Sequence, residues 1–417
     1  MKIILRVGGP RAAVELAEAN QIVERFQSES EGNTVVGVDL SCRQWKQESL
    51  DQVETFLAGV AGDVRYLKID DIIAGLNTDE GLSVTEKLAN VFDKADLLEI
   101  NLNDNAMGPR GLGRVGSLFA NSNLQRLYLS NCGLSHHSMI QLHDYIMADN
   151  GRVAKSLREL VLDKNMIGAE GAEQVAKFLP HCKNLETFSY RGCRPIKAGT
   201  KHIAEGLLAL SESTEEPAIS HLDLEDCTFG SGDDEDEDAI APFAKALGKF
   251  KHLRFLNMKD GDIGCGGLSL LLDALKTSNA RLTDFLLDAN GEIGSEGAEM
   301  LGEWLISQVT LLRRLHLSLN ELGDDGVAAI LVPFAASRNE LVDLALEQNE
   351  IENEGVQALL KARLPALREL NLSDNDEIDE DKREQLKTKF GRECRVRFDE
   401  DDAVDDLAAR MGAARIG

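Results

Sequence analysis

Apolar and polar positions along this chain alternate in one short recurring pattern, L-x-x-L-x-L-x-x-N. It is clearest in LLEINLNDN (97–105), LRELVLDKN (157–165), LTDFLLDAN (282–290), LRRLHLSLN (312–320), LVDLALEQN (341–349) and LRELNLSDN (367–375). Looser copies start near Val35, Val64, Leu124, Leu185, Ile219 and Leu253, which makes about twelve units spaced mostly 26 to 34 residues apart. Within a unit, Leu160 and Leu162 stand two apart and so share the buried face of a short strand. Asn165 closes that strand, and its amide can bond turn backbone that burial would otherwise leave unpaired. Beyond Gly168 and Gly171, Ala172, Val175 and Leu179 return at helical spacing and form one apolar stripe. IGSEGAEMLGEWL (293–305) repeats the arrangement.

A strand plus a full helix at this period is the long form of the leucine-rich repeat. The expected fold class is α/β, a horseshoe-shaped solenoid with a parallel sheet on the concave side and helices on the convex side. A chain of 417 residues is too long for one rounded core, and an elongated repeat stack removes that difficulty. Residues 1–32, with AAVELAEANQIVERF, read as a strand and helix capping the open end, and 33–398 as the repeat domain, with RVRF (395–398) as a closing strand. SGDDEDEDAI (231–240) reads as an acidic insertion whose run of acids favours a solvated loop. Residues 399–417 read as an acidic, then weakly amphipathic tail. One repeat departs from the rest: in DDIIAGLN (70–77), Ile72 holds the place of the asparagine. Cys132, Cys193 and Cys227 hold it too, as small side chains expected to be buried in the turn.

Charge narrows the function. Asp and Glu outnumber Lys and Arg by 72 to 45, a net −27. Such a field repels nucleic acid and anionic membrane and favours a basic protein partner. No stretch approaches the ~20 apolar residues that span a bilayer, and the apolar run in MKIILRVGGP is too short for a signal-peptide core. Seven scattered cysteines without a C-x-x-C pair point to reduced thiols in the cytosol or nucleus. No metal site is expected: the histidines lack ligand spacing, and the acidic run lacks the spaced D-x-D-x-D-G of a calcium loop. Nucleophile-elbow, P-loop and H-E-x-x-H motifs are all missing, and GGP (8–10) is too short for a phosphate loop. What remains is a binding surface, lined on the expected concave side by acids such as Asp70, Asp71, Glu99, Asp104, Asp163, Asp223, Asp226, Asp288 and Asp343, which should steer a basic partner.

INLNDNAMGPRG (100–111) followed by LQRLYLSNCGLS (124–135) resembles the paired repeats of Ran GTPase-activating proteins, in which S-D-N-A-x-G is followed by L-Y-L-x-N-x-G-[LI]. RVGG (6–9) is similar to the start of the repeat domain in the plant branch, whose usual nuclear-envelope targeting domain has no room here. The DDIIAG loop matches a family loop of the form S-D-[IF]-[FV]-x-G-R, which also carries an apolar residue at the asparagine place. The closing L-A-x-x-h-x-x-A-x-I tail is similar as well.

The resemblance implies a GTPase activator of a Ran-like small GTPase. It would not be an enzyme in its own right, and would need no cofactor, because GTP and Mg²⁺ belong to the partner. Asn131 corresponds to the family asparagine that helps orient the GTPase's own glutamine. Read from the residues alone, Asn131 lies one place before Cys132 at a strand end, where a polar residue is ordinary. The family's loop arginine falls on Leu76. Expected partner contacts are Asp70, Asp71, Leu76, Asp104, Asp163, Lys164 and Asp226. The resemblance further implies a monomer in the cytoplasm or at the nuclear rim, with a Ran-binding protein as a second partner. The alternative is a non-catalytic repeat scaffold that binds protein. A ribonuclease-inhibitor-like blocker fits the acidic horseshoe but not the sparse cysteines.

Overall fold

The structure, a computed structural model, describes residues 1–398 other than 121, 233–237, 337 and 376. The acidic run at 233–237 and the expected tail 399–417 lie outside the described residues. The chain forms two compact units, Met1–Ile219 and Ser220–Gly417.

In the first unit seven strands follow one another among the described residues: β1 (Lys2–Arg6), β2 (Thr34–Asp39), β3 (Tyr66–Lys68), β4 (Glu99–Asn101), β5 (Arg126–Tyr128), β6 (Glu159–Val161) and β7 (Thr187–Ser189). Each pairs in parallel with the next. The second unit repeats this with β8 (His221–Asp223), β9 (Phe255–Asn257), β10 (Asp284–Leu286), β11 (Arg314–His316), β12 (Asp343–Ala345), β13 (Glu369–Asn371) and β14 (Arg395–Arg397). Helices connect the strands, which is what parallel pairing requires. Each unit is therefore an α/β leucine-rich-repeat solenoid, as the period predicts.

The register is set by the central leucine of each strand. Leu67, Ile100, Leu127, Leu160 and Phe188 stand opposite one another from β3 to β7, and all are fully buried. A slip of one residue would turn this row to the polar face, so the register has no competitor. On the helix side Ala172, Val175 and Leu179 are fully buried. The helix Gly168–Phe178 stops one residue short of Leu179, which opens a 3-10 turn containing Pro180. Proline cannot donate to a continuing helix.

The strand ends are held by a ladder of buried amides. Asn165 Nδ2 donates to Leu129 O (2.8 Å) in the preceding repeat and to Leu162 O (2.6 Å) in its own. Its Oδ1 accepts from Cys132 N (3.1 Å) and Leu134 N (3.0 Å). Asn290, Asn320, Asn349 and Asn375 continue the device in the second unit, each Oδ1 accepting the backbone N–H of the residue one rung back.

At three places where the asparagine is missing, another donor serves. Cys132 Sγ donates to Leu102 O (3.1 Å) and Cys193 Sγ to Leu162 O (3.2 Å). Burial pushes the Cys132 thiol up to about 12, so it keeps the proton it donates. At Ile72 no side chain can reach back to Leu40 O, and the indole of buried Trp45 takes that carbonyl instead (3.2 Å). Trp45 N donates to Ile72 O (2.9 Å), and Asn105 Oδ1 accepts from Ile72 N (3.0 Å). The repeat break is thus a closed substitution in the ladder.

Asn165→Ala strands several buried backbone groups at once and should cost about 3 to 5 kcal/mol. Cys132→Ala removes one weak donor and should cost about 1 to 2 kcal/mol. Denaturant titration of the two variants checks this; equal costs would mean that the amide is not what holds the turn.

Candidate functional site

One place before the ladder, every repeat turns its chain through the left-handed region. Cys42, Asp71, Asp104, Asn131, Lys164, Asp226, Asp260, Ala289, Leu319, Gln348 and Asp374 have φ between 49° and 61°, and Gly192 has 64°. Left-handed backbone favours Gly, Asn and Asp, whose short side chains tolerate or support it. Five of the expected contacts, Asp71, Asp104, Asn131, Lys164 and Asp226, are this one turn position in different repeats. A recurring Asp, Asn or Gly just before the ladder was the sequence signal for it.

Four of these residues fall in successive repeats of the first unit and make a row along the ends of β3 to β6. Neighbouring strands lie about 4.8 Å apart, so adjacent members can touch. Asn131 is exposed, and its Nδ2 donates to Asp104 Oδ1 (2.9 Å). Its backbone N–H donates to Asp163 O (2.8 Å). One amide hydrogen is used by Asp104; Oδ1 and the second hydrogen remain for an incoming group. Lys164 is also exposed.

Asp71 is nearly buried and carries an ion pair with Arg11, a residue that sequence reasoning passed over. Asp70 accepts from Ser41 Oγ (2.6 Å). Burial, together with nearby Asp39, raises the Asp70 carboxyl above its ordinary range, although the serine bond opposes this. Leu76 is half-buried and follows Gly75, whose φ of +80° needs glycine; its N–H donates to Ile73 O (3.1 Å). Gln44 Nε2 ties the same loop down at Ala74 O (2.6 Å).

Two expected contacts part from the row. Asp163 is only 6% exposed, contrary to the open strand end expected of it. Its carboxylate accepts from Ser189 Oγ (2.6 Å) and Arg191 N (3.1 Å), and so fastens the following repeat. Asp226 is exposed but belongs to the second unit.

The sheet face is also less bare of cations than the sequence implied. Glu99 is paired with Arg126 (2.7 Å) and Lys68 (3.6 Å), and Tyr128 donates to Glu159 (2.5 Å). In the second unit Asp288 lies against Lys259 and His316, and His316 also reaches Asp343 (3.0 Å). Burial opposes charge on both Asp288 and His316. Their mutual bond and the flanking Lys259 and Asp343 outweigh it, so the Asp288 carboxyl is held low and the His316 imidazole high. Much of the expected acidic lining is therefore internally neutralised. The long-range field is then that of the chain's net −27.

Among the described residues no group of three His, Cys, Asp or Glu side chains is placed to hold a metal ion, and no helix is long and apolar enough to cross a membrane.

Comparison with known sequences agrees with the geometry. The family described as Leucine Rich repeat matches residues 153–176, 310–331 and 341–360, and a second family, Leucine Rich Repeat, matches 123–143. The chain carries leucine-rich repeats. It is 28% identical over 316 residues to the ribonuclease inhibitor of Sus scrofa, across 67% of this chain and 64% of that one. It is 25% identical over 283 residues to NACHT, LRR and PYD domains-containing protein 5 of Mus musculus, across 66% of this chain and 20% of the relative. The chain thus spans less than two thirds of the length of these relatives. A shorter match, 29% over 121 residues, is to RAN GTPase-activating protein 2 of Arabidopsis thaliana, across 29% of this chain and 22% of the relative.

Because the leucine-rich-repeat turn imposes a positive φ on Asn131, alanine there is strained by the backbone itself. Asn131→Ala should cost about 1 kcal/mol of stability and Asn131→Gly less than about half of that. Denaturant midpoints of the two variants report the difference, and a less stable glycine variant would contradict the left-handed assignment.

Proposed function

We propose that this leucine-rich-repeat protein accelerates GTP hydrolysis by a Ran-like small GTPase. The observation that carries the reading is Asn131: an exposed amide, fixed at one end by Asp104, in a turn that holds its backbone. The partial likeness to RAN GTPase-activating protein 2 and the motifs at 100–111 and 124–135 support it.

Positioning is what such an activator supplies. An amide can donate and accept at once, so Asn131 is suited to hold the carboxamide of a GTPase glutamine in one orientation. That glutamine aligns the attacking water. The activator contributes no nucleophile, and GTP and Mg²⁺ stay with the partner. We place the pair in the cytoplasm or at the nuclear rim, as the family resemblance implies; the scattered cysteines fit any reducing compartment, cytosol or nucleus. The second reading, a scaffold that binds a protein without accelerating hydrolysis, is favoured by Leu76 standing where the family motif has arginine.

Single-turnover hydrolysis with purified Ran–GTP tests the reading. Activators of small GTPases supply up to ~10⁵-fold, about 7 kcal/mol of barrier. If Asn131 provides a third of this, Asn131→Gly should lower the saturated rate by about 50-fold. Complex formation with a non-hydrolysable nucleotide should weaken by no more than about 1 kcal/mol. A wild-type rate equal to intrinsic hydrolysis at saturating protein leaves the scaffold reading in its place.

Leu76 has a separate consequence. The loop at 72–76 is tied down at both Ala74 and Ile73, so an arginine at its end would start from a fixed base. Leu76→Arg should tighten the complex by about 1 kcal/mol and change the saturated rate little. Titration with Ran bound to a non-hydrolysable nucleotide measures the first effect, and single turnover the second. A large gain in rate would show that the arginine acts on the phosphoryl group itself.

A further inference from the structure

We propose that Arg11 is a partner-contact residue of the same edge, presenting a fixed guanidinium to an oxyanion on the bound GTPase; this rests on the activator reading above. Its side chain is 68% exposed, yet it is held as a fork on Asp71, Nε to Oδ2 at 2.6 Å and Nη2 to Oδ1 at 2.7 Å. A guanidinium has five N–H donors. Asp71 occupies two of them and sits in the row that carries Asp104 and Asn131.

The loop that delivers Arg11 is built, from both sides. At its start Val7 N donates to Asp39 O (2.9 Å); at its end Gln44 N donates to Ala12 O (3.0 Å) and Val14 N to Gln44 O (2.8 Å). Between them lies Arg43, 4% exposed, in the ladder position of its repeat where others hold asparagine. It donates to Gly8 O (2.9 Å) and Ala12 O (3.3 Å), and its other end is neutralised by both oxygens of Glu18 (2.6 and 2.7 Å). Gly9, at φ +100°, passes so close that a Cβ would meet Arg43 Nη1 at 2.7 Å. A long buried cation thus replaces the short ladder amide, and what it gains is the position of this loop.

Neutralising nearly buried Asp71 uses only two of the five N–H donors of Arg11, and the rest of the guanidinium stands on a side chain that is 68% exposed. A guanidinium already immobilised loses little rotamer freedom when a partner arrives. It also puts one fixed positive point on an edge otherwise held by Asp70, Asp71 and Asp104. A carboxylate or phosphate on the partner finds its match there and nowhere else along these turns until Lys164.

The test separates contact from neutralisation by removing the charge that needs neutralising. Asp71→Asn is compared with the double variant Arg11→Ala/Asp71→Asn, each assayed for thermal stability, for affinity toward Ran–GTP and Ran–GDP, and for single-turnover hydrolysis. The double variant should match Asp71→Asn in stability but bind about 10-fold more weakly. Equal loss for both nucleotide states assigns the oxyanion to a protein carboxylate. Loss confined to the GTP state, with a lower saturated rate, assigns it to the nucleotide phosphate. If wild type accelerates hydrolysis and the two variants behave alike in binding and rate, Arg11 is a neutralising group and the proposal falls alone. If wild type neither binds nor accelerates, the activator reading falls and takes the proposal with it.

Discussion

Each repeat must hide the backbone at the end of its strand, and the buried polar groups there have to be paired. An unmade hydrogen bond in such a place costs about 1 to 3 kcal/mol, and every repeat presents several candidates. The ladder amides of Asn105, Asn165, Asn290, Asn320, Asn349 and Asn375 meet this need by bridging each turn to its predecessor. The bridge adds side-chain bonds between successive turns to the backbone pairing of the strands and the apolar contact behind them.

Because the requirement is for donors and acceptors at fixed points, its chemical solution can vary. A thiol serves at Cys132 and Cys193, an indole at Trp45, a guanidinium at Arg43. The first two are local repairs. The last reaches further, since Arg43 holds the loop at residues 8–12 of the preceding segment. Two departures from the repeat consensus, at Arg43 and Ile72, go with the positioning of Arg11 and of the Ile72 loop.

The same turn explains why a polar edge forms beside the ladder. Satisfying the backbone inward goes with a left-handed preceding residue, whose side chain is exposed at Asp104, Asn131, Lys164 and Asp226. Small polar residues tolerate that backbone best, so the edge becomes polar for a conformational reason before any partner is considered. Asp and Asn in such a row can then bond one another, as Asp104 and Asn131 do. Function, in this reading, uses an amide that the fold had already placed and oriented.

Period and strand-face spacing determined the fold class, because a two-residue alternation followed by a helical stripe admits one way of burying both. Most ladder positions, including the odd ones at Ile72 and the cysteines, were readable for the same reason. The edge was readable only in part. Asp104 and Asn131 are 27 residues apart, and only the in-step register of β4 and β5 brings them to 2.9 Å. The burial of Asp163 follows from Ser189 and Arg191 in the next repeat, which its own turn does not announce. Arg11 lies 60 residues from Asp71, and the glycine and buried arginine that join them resemble ordinary loop and core residues when read singly. Local pattern decides what a residue's backbone does; which charge stands opposite it depends on segments far along the chain, and only the folded structure supplies them.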